Sequence, residues 1–145
     1  MPYDGFYTSL RAISHVAHAK LIEGVLVERV LLDPAQLARA AADAASDKKA
    51  SDVLLLDVRE ITTIADYFVI CSGNNARQIL AIADAIDEAL RKQGARLINR
   101  EGVADTGWLL LDFGDIIVHI FGPTEREYYR IERLWNEAKT VVYLQ

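Results

Sequence analysis

Hydrophobic positions recur along this chain with two different periods, and the period changes near residue 50. In "SLRAISHVAHAKLIEGVL", Leu10, Ile13, Ala17 and Leu21 fall at helical spacing, which predicts a first helix that weakens at Gly24. "LDPAQLARAAADAASDKKASD" places Asp33 as an N-cap and Pro34 at the first helical position, predicting a helix to about Ser46. Its stripe of Leu37, Ala38, Ala41 and Ala45 is thin, which predicts weak packing or a mere lead-in. From residue 53, "VLLLDV" and "YFVICS" are short β-rich runs. Asn74-Asn75 then offer a cap to a helix bearing Ile79, Ile82, Ala83, Ile86 and Leu90, which Gly94 stops. "RLINR" reads as a third strand, so residues 67–100 predict a strand–helix–strand unit, parallel and right-handed. "EGVADTG" reads as a loop, and "WLLLDF" and "IIVHIF" as two strands around Gly114-Asp115. "GPTEREYYRIERLWNEAK" predicts a last helix, with Thr124 and Glu127 at capping-box spacing and Tyr128, Ile131, Leu134 and Trp135 along it. The prediction is an α/β fold: helices on a mixed five-stranded sheet over residues 33–145, with a helical extension over residues 1–32.

The ribbon at residues 108–121 is the most informative stretch. A two-residue turn opposes Phe113 to Ile116, Leu111 to Val118 and Leu109 to Ile120, giving one wholly apolar face. The other face opposes Asp112 to Ile117, Leu110 to His119 and Trp108 to Phe121. Solvent alone does not select such side chains. Either a partner or the protein's own helices cover them, and spacing leaves both open.

Composition narrows the classes. At 145 residues the chain holds one domain with a core. A net charge of −5 argues against a general nucleic-acid binder, which needs excess Lys and Arg, but not against docking on a basic protein. The single cysteine, Cys71, forbids an internal disulfide and suits a reducing, cytoplasmic setting. No apolar run approaches the ~18 residues of a membrane span, and the N-terminus has too little Arg and Ser for a transit peptide.

Catalytic footholds are weak. "DFG" stands without the other kinase motifs. "CSGNN", between a strand and a helix, could hold a phosphate on the helix N-terminus, but Gly73 is its only glycine. Asp112 and Asp115 point apart by strand alternation, and Asp57 and Asp66 sit at strand ends where capping is the common duty. His15 and His18 could share a metal but show no third ligand, and Cys71 shows no base. No catalytic residue, cofactor or metal ligand is assigned.

"LLLDV", "DYFVICSGNNARQILAIADAIDEAL", "WLLLDFGDIIVHIF" and "REYYRIERLW" resemble, in order, the ribosomal silencing factor (Iojap) family over roughly residues 35–137. The resemblance implies a nucleotidyltransferase-like fold without its catalytic groups. It also implies binding to the large ribosomal subunit through the L-fourteen protein on its intersubunit face, blocking small-subunit joining when nutrients are scarce. Trp108, Asp112 and Tyr129 match family positions implicated in that docking, and Leu110, Ile117 and His119 complete the expected partner face. Two alternatives stand beside it: residual nucleotide binding at "CSGNN", and a homodimer through the mixed face.

Overall fold

A computed structural model of the chain describes residues 19–22, 25–28 and 32–145. Asp33 caps the first helix, α1 (Pro34–Asp47), its side chain accepting from the Ala35 amide at 3.0 Å. The thin stripe on α1 does not pack weakly. Ala38, Ala41 and Ala45 are completely buried beside Leu37, because small side chains let the helix approach its neighbours closely. The second helix, α2 (Ala76–Lys92), is capped by Asn75, whose Oδ1 accepts from the Gln78 amide at 2.9 Å. Its predicted stripe, Ile79 to Leu90, is fully buried, and Arg91 and Lys92 occupy the last turn.

The strands are β1 (Ala19–Ile22), β2 (Val25–Glu28), β3 (Ser51–Asp57), β4 (Tyr67–Ser72), β5 (Asn99–Val103), β6 (Trp108–Asp112), β7 (Ile116–Phe121) and β8 (Lys139–Leu144). The last six form one mixed sheet in the order β5-β6-β7-β4-β3-β8. Its one parallel neighbour pair is β4 with β7; the others are antiparallel. Running those directions across the sheet makes β5 parallel to β4, as predicted, but with two strands between them. The ribbon register is the predicted one: Leu109 faces Ile120, Leu111 faces Val118 and Trp108 faces Phe121.

Around Leu21 the first predicted helix is instead an antiparallel pair, β1 with β2, consistent with the strand preference of "VLV". Leu10, Ile13 and Ala17 lie outside the described residues. The C-terminal helix is not continuous: α3 (Pro123–Tyr129) ends where Arg130 turns left-handed (φ +45°), and α4 (Ile131–Leu134) follows. Gly122, not Thr124, occupies the N-cap, so the capping box does not form. Beyond α4, β-branched "TVV" joins β3 as β8, a sixth strand where five were predicted.

Two cores result. Helices α1 and α2 bury the apolar ribbon face, with Leu109, Leu111, Val118 and Ile120 in one cluster with Ile79, Ile82 and Ile86. On the other side Leu110, Ile117 and Phe121 join Phe68, Ile70 and Ile131, with Ile61, Ile64 and Trp135 packed against them.

Candidate partner interface

Ile131 of α4 and the loop after β3 cover most of the mixed face. Leu110, Ile117 and His119 are therefore buried and touch no solvent from which a partner could reach them. Asp112 is buried too: its Oδ1 accepts from the Gly114 amide at 2.7 Å, fixing the ribbon's turn. Its Oδ2 has no hydrogen-bond partner among the described residues. Burial pushes the Asp112 carboxyl above the ordinary range, the Gly114 amide opposes this, and the Glu101 charge adds to it.

Trp108 and Tyr129 are the members of the predicted set that reach the surface, both half-buried. Their rings lie 4.9 Å apart between centroids, and Trp108 stacks on Phe121 at 5.4 Å. The indole Nε1 donates to His119 Nδ1 at 3.2 Å. That bond needs a neutral imidazole, with the ring proton on the other nitrogen. Burial supplies the neutrality, helped by the Arg126 cation, and holds His119 down at about 3. Phe68 meets His119 and Trp135 edge-on at 5.9 and 5.1 Å, so the Trp108 edge rests on a continuous aromatic support. Val103, opposite Trp108, and Tyr128 of α3 are exposed beside this support.

Arg126 fastens the cover. Its Nη1 donates to Ser72 Oγ at the end of β4 and its Nε to Glu132 Oε1 on α4, both at 3.0 Å. Sequence reasoning missed this link because Arg126 and Glu132 are six apart, a spacing no continuous helix brings together; the break at Arg130 does. Glu101 and Val103 were missed because β5 extends past Arg100 into the predicted loop.

The enzymatic footholds look different in three dimensions. At the carboxyl ends of β4 and β7 a pocket of about 280 Å³ is lined by Asn74, Asn75, Asp105, Thr124 and Glu125, among others. Ligands commonly bind at such strand ends. Here Asn75 Oδ1 and Gln78 Oε1 already accept from the Gln78 and Asn74 amides, and two carboxylates line the pocket. Gly73 is small for packing: a Cβ there would lie 3.0 Å from Ile79 Cγ1. Asp57 is held below the ordinary range by its hydrogen bond from Arg59, while Asp66 is raised by burial and then by Asp115. Burial pushes the Cys71 thiol up to about 12, which disfavours the thiolate. Among the described residues no three His, Cys, Asp or Glu side chains cluster for a metal, and no helix is long and apolar enough to cross a membrane. His15 and His18 lie outside the described residues.

Comparison with known proteins bears on this arrangement. Residues 32–145 match the family model described as ribosomal silencing factor during starvation. The chain is 44% identical over 98 residues to the ribosomal silencing factor of Bacillus subtilis, covering 68% of this chain and 83% of that one. It is 42% identical over 106 residues to that of Halalkalibacterium halodurans, covering 73% and 91%. A crystal structure from Chromobacterium violaceum superposes with a TM-score of 0.69 at 28% identity, over 79% of this chain and 94% of that one.

Proposed function

Since the chain belongs to the ribosomal silencing factor family, we propose that it docks on the large ribosomal subunit and represses translation under nutrient limitation by keeping the small subunit from joining. The docking partner is the L-fourteen protein on the intersubunit face. The mechanism is steric occlusion, with no turnover and no cofactor. The observation that carries this reading is the surface edge of Trp108, held by stacking on Phe121, by a tilted contact with Tyr129 and by its bond to His119, with Val103 and Tyr128 exposed beside it. A preorganised tryptophan ringed by aromatic side chains is the kind of anchor that dominates protein interfaces, because little side-chain entropy is lost on binding.

This reading differs from the sequence expectation in one respect. Leu110, Ile117 and His119 act from beneath, holding Trp108 in place, while Trp108 and Tyr129 meet the partner. An acidic protein fits a basic ribosomal protein better than ribosomal RNA, whose phosphates would repel it. Sedimentation with purified subunits tests the proposal. The protein should travel with the large subunit; migration with the small one, or with neither, would sink it.

A further inference from the structure

Among the described residues strand β5 is the edge of the sheet on the Trp108 side, and its register opposes Glu101 to Leu110 and Val103 to Trp108. Directly opposed residues of an antiparallel pair project to one face, so these four share the face that carries the proposed anchor. Between them lies a slot of about 210 Å³ lined by Glu101, Gly102, Trp108 and Leu110. Gly102 lets the two strands approach here: at its φ of +88°, a Cβ would lie 2.3 Å from the Trp108 carbonyl oxygen. The slot is apolar, with Glu101 the one charged residue among those that line it. The Glu101 carboxylate is half-buried and accepts from Asn99 Nδ2 at 2.7 Å.

A second carboxylate lies on the same face. Asp112, opposite Asn99, is buried with Oδ2 lacking a hydrogen-bond partner among the described residues. Neither Glu101 nor Asp112 forms an ion pair among those residues; nearby Arg100 pairs instead with Asp84 at 3.7 Å. A carboxylate at an apolar slot, with a second buried on the same face and no cation of the described residues paired to either, is complementary to one kind of side chain. It has an apolar stem and a positive head.

We infer that this slot receives a lysine or arginine of the docking partner, its alkyl stem against Trp108 and its cationic head at Glu101. The assignment rests on the docking reading above and adds a specificity determinant to it. Trp108 supplies apolar area to many partners, whereas Glu101 selects a basic one and rejects phosphate.

The test compares large-subunit binding of the unaltered chain, Glu101→Gln and Glu101→Lys at low and at high salt. Glu101→Gln keeps the length of the side chain and its acceptor toward Asn99 but removes the charge. Binding should weaken about tenfold at low salt, and the gap should narrow as salt screens the unaltered chain's advantage. Glu101→Lys should weaken it further, with both variants melting within a few degrees of the unaltered chain. Equal binding and equal salt dependence of Glu101→Gln, while Trp108→Ala is impaired, would overturn the slot assignment and leave docking intact. Failure of the unaltered chain to bind would overturn both. A dimer of the unaltered chain that Glu101→Lys dissociates would assign the slot to a second copy and overturn the partner named here.

Discussion

Leu111 and Trp108 lie three residues apart on one strand and report on opposite faces of the sheet. Leu111 is fully buried under α1 and α2, so Leu111→Ala should leave a cavity and cost about 2–5 kcal/mol in a denaturant titration. Trp108→Ala should cost about 2 kcal/mol, because it deprives buried His119 Nδ1 of its indole donor and removes the stack on Phe121. That is more than the ribbon's spacing alone suggests, which treats the tryptophan as a surface group. Large-subunit binding by Trp108→Ala should fall by about 2 kcal/mol, roughly thirtyfold, at temperatures where the variant remains folded. A tryptophan that served the core alone would leave binding by the folded variant unchanged.

His119 also makes stability depend on pH. Its folded value of about 3 lies below the ordinary 6.5, so the folded state resists a proton that the unfolded state accepts. Above the ordinary value the residue has no effect, and stability falls as pH drops from 6.5 toward 3. Asp112 acts in the opposite sense: its raised carboxyl takes a proton more readily when folded, which offsets part of the loss. Melting curves between these limits should show the decline, and His119→Gln should flatten it. A decline of the same size in His119→Gln would assign it to other groups.

Among the elements, α3 and α4 decide whether the mixed face is open or covered, and Arg126 is their fastening. Arg126→Ala should cost about 3 kcal/mol by leaving Glu132 without its counter-charge, and should expose the chain near Arg130 to trypsin. Unchanged stability and cleavage would mean that apolar packing of Ile131 alone holds the cover. The elements also show what the sequence makes readable. The ribbon register is legible because a short turn between two alternating runs permits one pairing. Helices α1 and α2 are legible through Asp33, Asn75 and their apolar stripes. The break at Arg130 is not, because a left-handed arginine carries no mark such as glycine would give. β8 escapes notice for a related reason: its "TVV" follows a helical pattern, and the vacant edge of β3 decides its conformation. The site is legible in part. Sequence alternation places Trp108, Leu110 and Asp112 on one face, but not which of them α4 buries.

At the scale of the whole molecule, the family match begins at residue 32, next to the Asp33 cap of α1. We propose that the N-terminal extension is dispensable: a chain starting at Leu32 should fold and keep its affinity for the large subunit. Loss of either property would place the extension in the core or the interface.

Occlusion by docking is read from subunit joining itself. Purified subunits are mixed with increasing amounts of the protein, and light scattering records the joined ribosome. Joining should decline as the large subunit saturates, and Trp108→Ala should require roughly thirtyfold more protein for the same effect. Undiminished joining at a concentration that saturates the large subunit would rule out occlusion.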